Sequence, residues 1–278
     1  MATVKELLQQ GRALLAACSD TARLDAEVLL AKVVNKDRTW LMTWPDQILS
    51  DEFTETYHSL LARRSEGEPV AYILGQQAFW SLDLAVSAAT LIPRPETELL
   101  VETVLAIAGC RDNVSLLDLG TGSGAIALAL ATEKPGWQIT ACDISAEAIQ
   151  IARQNCSRHG LTVELLESDW FTALSDRSFD FIVSNPPYIE NNDPHLQQGD
   201  VRYEPAAALV SGEDGLEDIR IIARQSREHL HDHGWLLVEH GFQQGVSVGD
   251  IFNRHGYVKV QTLPDLSGHD HVTLGRKV

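Results

Sequence analysis

The chain has 278 residues, of which 44% are hydrophobic and 22% are charged, a balance typical of a folded globular protein. Its length exceeds the usual size of one domain, so we expect a large domain and a smaller one. The formal net charge of -17 disfavours nucleic acid and membranes as partners, because an acidic surface repels their phosphate groups. No run approaches the roughly 18 apolar residues of a membrane span, and no secretory signal is visible, so a cytoplasmic location is expected.

The first part of the chain, residues 1–75, is predicted to be a small helical domain. Apolar residues recur at helical spacing over residues 4–18 and again over residues 53–61. Ser50 is suited to cap the second of these helices, and Gly67 lies just beyond its end. We see no residues in this region that predict a chemistry of its own.

Residues 76–91 are predicted to be a connector that forms a β-hairpin, because apolar and polar side chains alternate over residues 78–86. A helix then starts near Pro95, since proline is suited to the first helical position. Residues 92–278 make up the predicted main domain, which carries all of the candidate functional residues.

The main domain is predicted to be of the α/β class. Helical patterns alternate with short apolar runs typical of buried strands, at residues 114–119, 137–143, 162–169, 179–185 and 234–241. This alternation predicts a Rossmann-like, doubly wound sheet of mostly parallel strands. The runs at 257–263 and 271–278 have no helix between them, so the seven-stranded sheet is expected to finish in an antiparallel hairpin, with its last strand antiparallel.

A glycine-rich turn follows the first predicted strand of the sheet and leads directly into a helix. The turn consists of Gly120, Thr121, Gly122, Ser123 and Gly124. Glycines let a ligand come close to the backbone, and the N–H groups at the start of a helix can hold an anionic group. The motif alone also fits a tight turn that binds nothing.

Asp143 ends the second predicted strand, nineteen residues after Gly124. An acidic residue at about this distance from such a turn accepts hydrogen bonds from ribose hydroxyl groups. Capping of the helix after Ser145 is the alternative role for this carboxylate. Together with the glycine-rich turn, Asp143 predicts a ligand that contains a nucleoside.

The motif after the fourth strand, Asn185-Pro186-Pro187-Tyr188, favours S-adenosylmethionine over a dinucleotide as that ligand. An amide nitrogen is a poor nucleophile because its lone pair is delocalised, so a site that methylates it must orient it through hydrogen-bond acceptors. We expect the Asn185 side chain and the Pro186 carbonyl to accept its N–H groups, in a turn that the two prolines stiffen. Tyr188 would pack against the flat amide. A proline-stiffened turn without function is the alternative.

Asp169 and Trp170 end the third predicted strand. An acid there can accept a hydrogen bond from an adenine amino group, and an aromatic ring can cover the purine, although simple packing is an alternative for Trp170. The candidate residues therefore follow four consecutive strands at their carboxyl ends. Ligands bind at this edge in open α/β sheets, so we expect these residues to meet at one site.

The sequence resembles the release-factor glutamine methyltransferases, known as the HemK or PrmC family, over nearly its whole length. The segments that carry the resemblance are GEPVAYILG at 67–75, Phe79-Trp80, IPRPETE at 92–98, the turn at 118–124, SDWF at 168–171, NPPY at 185–188 and DVRYEP at 200–205. The NPPY motif alone is shared with methyltransferases that act on adenine and other amino groups.

The resemblance implies methylation of the side-chain nitrogen of glutamine in the Gly-Gly-Gln motif of peptide chain release factors. It implies that residues 120–124, Asp143, Trp170 and Asn185 contact S-adenosylmethionine, with S-adenosylhomocysteine as product, and that residues 185–188 bind the glutamine. The helical domain would help to hold the release factor. Neither a metal nor a direct contact with nucleic acid or membrane is expected, and we expect a monomer.

Three other functions compete with this one. A nucleic-acid adenine methyltransferase can use the same acceptor motif, but it needs a basic groove that this acidic chain does not predict. A non-catalytic module that binds S-adenosylmethionine or a release factor is a second alternative. A dinucleotide-dependent oxidoreductase is a third, although the turn GTGSG lacks the G-x-G-x-x-G spacing.

The histidines near the C-terminus raise the question of a metal site. His229, His231 and His233 fit the polar end of a helix and His269 and His271 a hairpin turn, so we expect solvated surface positions. Glu239 and His240 end a strand near the expected site, where the sequence leaves packing, surface and catalytic roles open.

Overall fold

The computed structural model describes residues 2–278. The chain divides into two units, the first made of the residues up to Gly75 together with Gln197–Tyr203, and the second of Gln76–Leu196 and Glu204–Val278. Gln197–Tyr203 lies within the range predicted for the main domain, yet it groups with the helical residues. Over the residues described, none of the helices combines the length and the apolar character needed to cross a membrane.

The first unit is built from five helices. They are α1 (Val4–Leu15), α2 (Ala22–Val34), α3 (Arg38–Thr43), α4 (Asp51–Ser65) and α5 (Val70–Leu74). Ser50 caps α4 as predicted, since its hydroxyl accepts a hydrogen bond from the backbone N–H of Phe53 at 3.3 Å. The apolar faces of the helices meet in one core that includes Leu7, Leu30 and Tyr57, all fully buried.

The segment Gln197–Tyr203 is tied to α4 and to the residues that follow it. The guanidinium of Arg64 donates hydrogen bonds to Asp25 of α2 and to Asp200, each at 2.8 Å. The side chain of Arg202 packs on Gly67, which has a φ of 101°, so closely that a Cβ atom there would lie 1.7 Å from its nitrogen. Only glycine therefore fits at this position.

The second unit alternates strands and helices. Its strands are β1 (Gln76–Phe79), β2 (Leu82–Ala85), β3 (Ser115–Leu119), β4 (Gln138–Asp143), β5 (Glu164–Glu167), β6 (Phe179–Ser184), β7 (Leu230–Glu239), β8 (Val258–Pro264) and β9 (Asp270–Arg276). Its helices are α6 (Glu98–Ala108), α7 (Ala125–Glu133), α8 (Ala146–His159), α9 (Glu217–His229) and α10 (Gly245–Arg254). A short 3₁₀ turn, Pro95–Thr97, leads into α6, so proline occupies the first helical position as expected.

The main sheet has seven strands in the order β5-β4-β3-β6-β7-β9-β8. The first five strands in this order are parallel, whereas β9 pairs antiparallel with both β7 and β8. The predicted α/β class, the mostly parallel sheet and its antiparallel end are thus confirmed. Apolar side chains cover both faces, with α6 and α7 packed on one and α9 and α10 on the other.

The strand order reverses between β3 and β6, which are neighbours although β4 and β5 separate them in the chain. The crevice at such a reversal is the usual ligand site of this architecture. The register pairs Leu119 with Ser184, and Ser184 in turn with Val238 of β7. Gly120, Asn185 and Glu239 therefore leave the sheet side by side at its carboxyl edge.

Strand β7 begins earlier than the sequence predicts, at Leu230 rather than near Gly234. Its first residues, His231-Asp232-His233, are exposed, and His233 has a φ of 70° at an irregularity in the pairing with β6. The polar run conceals the strand because it lies in the irregularity between the pairs Phe179–Leu230 and Phe181–Trp235, where the side chains are exposed.

Candidate active site

A cavity of about 580 Å³ opens at the carboxyl edge of the sheet. Its size is within the range of about 300 to 1,000 Å³ that is typical of small-molecule sites. The predicted residues that line it are Gly120, Thr121, Gly122, Ser123, Asp143, Asp169, Trp170, Asn185 and Pro187. The other three, Gly124, Pro186 and Tyr188, are described in the structure but lie outside the lining.

The glycine-rich turn has the conformation that its sequence predicts. Gly120, Gly122 and Gly124 have φ angles of 68°, 56° and 87°, which lie in the left-handed region that glycine adopts without strain. A Cβ atom on Gly124 would lie 3.0 Å from the Leu128 side chain, so the turn also packs tightly on its own helix. These constraints present the backbone of the turn, rather than side chains, to the cavity.

Asp118 supports this turn from below and is completely buried. One oxygen, Oδ2, accepts hydrogen bonds from the Thr121 hydroxyl at 2.6 Å and from the Ala127 backbone at 3.3 Å, while Oδ1 has no partner within residues 2–278. Burial raises the pKa of Asp118 to about 7, against the effect of these hydrogen bonds. The sequence shows this residue only as the start of the glycine motif.

Asp143 holds the turn and the next helix together. Its Oδ2 accepts a hydrogen bond from the Gly122 N–H at 2.8 Å, and its Oδ1 accepts one from the Ser145 N–H at 2.9 Å. The cap of α8 is Ser145 itself, whose hydroxyl accepts from Ala148, so the alternative capping role does not belong to Asp143. Because each carboxylate oxygen has two lone pairs, both oxygens retain capacity for ligand hydroxyl groups.

Trp170 lies against the glycine-rich turn. A Cβ atom on Gly120 would be 3.7 Å from the Trp170 ring, and this tryptophan has a positive φ of 45°. Its carbonyl oxygen accepts a hydrogen bond from the Ser168 hydroxyl at 2.9 Å, which holds the unusual backbone in place. Asp169 is exposed at the same rim. The two residues thus form one wall of the cavity.

Asn185 presents an unsatisfied acceptor. Its side-chain nitrogen donates a hydrogen bond to the Thr97 hydroxyl at 3.1 Å, and its Oδ1 is buried without any hydrogen-bond partner among the described residues. A buried acceptor without a partner costs free energy unless a ligand satisfies it. Both Asn185 and Thr97 line the cavity, so the geometry offers this oxygen to a donor bound there.

Tyr188 is half-buried behind Pro187. Its N–H donates to the Leu209 carbonyl at 3.2 Å, and its own carbonyl accepts from the Gln244 side chain at 3.0 Å. Burial raises the pKa of the phenol further above its usual value, and the charge of Glu239 adds to that effect. The backbone of the motif is therefore fixed on both sides.

Glu239 is a buried acid that the sequence does not assign to a role. It is the last residue of β7 and 1% exposed. Burial raises its pKa to about 7, while hydrogen bonds from the Thr97 and Asn185 side chains act in the opposite direction. A charged residue directly after the apolar run at residues 235–238 is the sequence signal that marks it.

Glu204 joins two segments of the cavity wall. Its carboxylate accepts a hydrogen bond from the Ile92 N–H at 3.2 Å and pairs with Arg94. Residues 89–93 and 205–208 both contribute to the cavity lining. The DVRYEP and PRP segments thus meet here, a contact that no local pattern reveals because 110 residues separate Arg94 from Glu204.

Asn155 is another residue that spacing does not reveal. It is fully buried and exchanges hydrogen bonds with both backbone groups of Ala85, at 2.7 and 3.0 Å. Its side-chain nitrogen also donates to the Ser123 carbonyl at 2.8 Å. Asn155 therefore connects the β1–β2 hairpin to the glycine-rich turn.

The histidine predictions need correction. His229 is buried rather than solvated, because its ring stacks on Phe171 with centroids 4.6 Å apart and bonds the Arg177 carbonyl. His231 and His233 are exposed as expected, but they lie in β7 and not in a helix. In the part of the chain described, residues 2–278, no group of three potential metal ligands is present.

The lining has the features that a nucleoside sulfonium requires. The backbone of the glycine-rich turn, the free lone pairs of Asp143 and the ring of Trp170 face one cavity. These groups suit a carboxylate, a ribose and an adenine respectively. The residues present thus fit S-adenosylmethionine.

Two family models match the chain. One described as "PrmC N-terminal domain" matches residues 6–75, and one described as "Methyltransferase small domain" matches residues 94–208. A crystal structure of a methyltransferase from Pyrococcus furiosus has the same fold, with a TM-score of 0.55 at 18% identity, and the match covers 78% of this chain and 96% of that one. Fold and family models together define the chain as a methyltransferase.

Curated relatives identify the family. A release factor glutamine methyltransferase of Pseudomonas aeruginosa is 54% identical over 259 residues, which cover 93% of this chain and 94% of the relative. One from Vibrio cholerae is 51% identical over 277 residues, covering 99% of this chain and 94% of the relative. The chain belongs to the release factor glutamine methyltransferase family, and the resemblance drawn from the sequence is confirmed.

Proposed function

We propose that this chain transfers a methyl group from S-adenosylmethionine to the side-chain amide nitrogen of the glutamine in the Gly-Gly-Gln motif of peptide chain release factors. The observation that carries the proposal is the unpartnered Oδ1 of Asn185 in the wall of the cavity. An acceptor placed there suits an N–H donor such as a primary amide. The names of the relatives identify release factor glutamine as the source of that amide.

Asn185 and Pro186 would orient the target nitrogen. Two acceptors, the Asn185 Oδ1 and the Pro186 carbonyl, take the two N–H groups of the amide and so fix its plane. The fixed φ of Pro186 and Pro187 keeps the second acceptor in place. Positioning of this kind can lower a reaction barrier by about 7 to 11 kcal/mol.

Tyr188 would complete the substrate site by packing beside the flat amide. It lies outside the cavity lining, next to Pro187, which fits a contact with a substrate that enters from outside. A phenol is neutral at physiological pH, and burial raises the pKa of Tyr188 further above its usual value. The ring would therefore contribute shape and an apolar face, not a charge.

The cofactor residues would be Gly120 to Gly124, Asp143, Asp169, Trp170 and Asn185. When bound, S-adenosylmethionine supplies an electrophilic methyl group on a sulfonium sulfur. The amide nitrogen would bond to this methyl carbon as the carbon–sulfur bond breaks, its electron pair remaining on sulfur, and the displaced N–H proton would be released to water. That proton becomes acidic only as the bond forms, so the site needs no strong base beforehand.

Each of the three predicted regions would have its own role. Residues 1–75 would help to hold the release factor, residues 76–91 would connect, and residues 92–278 would carry the transfer. We expect this reaction to take place in the cytoplasm, without a metal and without direct contact with nucleic acid. We propose a monomer, because one chain contains every residue of the proposed site.

The test is to incubate the purified protein with S-adenosylmethionine carrying a labelled methyl group and a release factor. Mass spectrometry should find one added methyl group on the glutamine of the Gly-Gly-Gln motif. A release factor with that glutamine changed to alanine is the matched control and should remain unlabelled.

Parallel incubations with DNA and RNA test the main alternative. Label that appears only in nucleic acid would overturn the choice of substrate. Cofactor binding without transfer to any of these substrates would instead favour a non-catalytic binding module.

A further inference from the structure

Glu239 is a carboxyl group that the fold does not require. It lies one residue beyond the register pair Ser184 and Val238, so it leaves the sheet beside Asn185. It takes part in no ion pair within the described residues, and its Oε2 is buried without a hydrogen-bond partner. Burying such a group lowers stability, and a costly buried acid next to a reacting centre points to a functional reason for its presence.

The polar side chains that interact with Glu239 are those of Thr97 and Asn185. Both interact with its carboxylate and act to lower its pKa. The Asn185 nitrogen donates to the Thr97 hydroxyl at 3.1 Å, which leaves the proton of that hydroxyl available to an acceptor. In its ionised form the carboxylate only accepts hydrogen bonds, so both neighbours then turn their donors towards it.

We propose that Glu239 is a positioning residue that fixes the orientation of the Asn185 side-chain amide during methyl transfer. The nitrogen end of this amide is drawn towards Glu239 and Thr97, which turns Oδ1 towards the cavity. A flipped amide would present its NH₂ group to the NH₂ group of the substrate, and two donors would then face each other. This inference rests on the proposed function, because the oriented oxygen is the one that receives the glutamine amide.

The Thr97 hydroxyl has a place in the same arrangement, between Asn185 and Glu239. Thr97 is 3% exposed, and its hydroxyl accepts from Asn185 and interacts with Glu239, so it can relay the preference of the carboxylate to the amide. A valine at position 97 would have the same shape without the hydroxyl. Thr97→Val therefore tests the same arrangement while Glu239 itself stays unchanged.

A double-mutant cycle tests the proposal. Glu239→Gln should lower kcat by about 10- to 100-fold, the range expected for losing a buried hydrogen bond to a charged group. The same change made in an Asn185→Ala background should lower kcat by less than about twofold, because the residue acts through Asn185. Thr97→Val should lower kcat in the wild type and likewise add little in that background.

Cofactor binding provides the control for folding. Equilibrium dialysis with labelled S-adenosylmethionine should give the Glu239→Gln variant a Kd within about threefold of the wild type. Glu228→Gln, the same substitution at an exposed position of α9, should leave kcat unchanged. If Glu239→Gln does not fold, Glu239→Asp and Thr97→Val carry the same cycle.

The outcomes separate the two proposals. Losses that multiply in the double variants would show that Glu239 and Thr97 act independently of Asn185, and would overturn this inference alone. An unchanged kcat in both single variants would overturn it as well. A wild-type protein that methylates no glutamine would overturn the proposed function, and the inference with it.

Discussion

Buried polar groups are paired in the helical unit and left open at the edge of the sheet. Asp25 accepts hydrogen bonds from Ser19, Thr21 and Arg64, and Glu27 accepts from two arginines. At the sheet edge, by contrast, Asp118, Asn185 and Glu239 each have one buried oxygen without a partner in the part of the chain that the structure describes.

The difference separates two uses of buried polarity. A buried charge without partners costs free energy, so buried groups that serve only the fold are paired. A region that binds a ligand keeps acceptors free for it and accepts lower stability. We therefore expect substitutions in the first region to change mainly stability and substitutions in the second to change mainly activity.

The largest effect on stability should come from Arg64→Met. This change leaves Asp25 buried without its cationic partner and also releases Asp200. Removing one partner of a buried ion pair typically costs about 3 to 5 kcal/mol. Urea denaturation should show the loss as a lower midpoint with an unchanged slope.

Arg63→Met is the matched control, one position earlier on the same helix. Arg63 pairs with Glu68, but 43% of its side chain is exposed. Exposed ion pairs contribute only about 0 to 1 kcal/mol, so the midpoint should barely move. Equal losses in the two variants would contradict the importance assigned to burial.

The largest effect on activity should come from Asn185→Ala. Removing a group that orients or stabilises the reacting atoms typically lowers kcat by about 100- to 1,000-fold. The free energy of unfolding should stay the same or rise, because the unpartnered Oδ1 is removed as well. Kinetics under saturating cofactor and thermal unfolding measure the two quantities.

Asn155→Ala sharpens this contrast. The Asn155 side chain is equally buried but makes three hydrogen bonds within the fold. Its loss leaves buried backbone groups unpaired, which should cost about 1 to 3 kcal/mol of stability. An Asn185→Ala variant that lost as much stability as Asn155→Ala would show that Asn185 serves the fold.

Stability should also respond to pH through Glu239. Its pKa is about 7 in the folded protein against 4.5 for the free side chain, so between these values the unfolded chain loses a proton that the fold retains. The contribution of Glu239 to stability is therefore present below pH 4.5 and is lost as the pH rises through 7. Arg94, Glu96 and Tyr188 are the charged or titratable groups that face it.

Glu239→Gln removes this titration. The variant should be more stable than the wild type by about 2 kcal/mol at pH 8, and the difference should shrink towards pH 5. Asp118, whose pKa is also about 7, is present in both proteins and cancels in the comparison. A difference that stays constant between pH 5 and pH 8 would contradict the raised pKa of Glu239.

Features set by local sequence could be predicted, whereas contacts between distant parts of the chain could not. The strands, the glycine-rich turn and the lining residue Asn185 were predictable, because each follows from local spacing or from a position after a strand. The roles of Glu204 and Asn155 were not, since their partners lie 110 and 70 residues away along the chain. Such contacts depend on how the elements pack, and no local pattern encodes that.

His229 shows the opposite failure. The polar run from His229 to His233 indicates surface, and this is correct for the last residues, but the His229 ring packs on Phe171. A histidine has one apolar face and one polar edge, so it can be buried when the edge finds a carbonyl group. Polarity alone therefore does not predict exposure at the end of a helix.

The smallest effect should come from Asp143→Asn. Asp143 accepts hydrogen bonds from the fold and is also proposed to bind the cofactor, so this one residue serves both purposes. The amide retains one acceptor for the Gly122 N–H but turns a donor towards Ser145 or towards a ligand hydroxyl. We expect the Kd for S-adenosylmethionine to rise about 10-fold, equivalent to about 1.4 kcal/mol, with kcat at saturation little changed.

Ser145→Ala separates ligand binding from support of the helix. It removes the cap of α8, which should cost about 1 kcal/mol of stability, while the Asp143 carboxylate stays in place. Its Kd for the cofactor should therefore remain close to that of the wild type, as isothermal titration calorimetry can measure. If Ser145→Ala weakened binding as much as Asp143→Asn, the role of Asp143 would be to hold the backbone. The carboxylate would then belong with the paired groups of the helical unit.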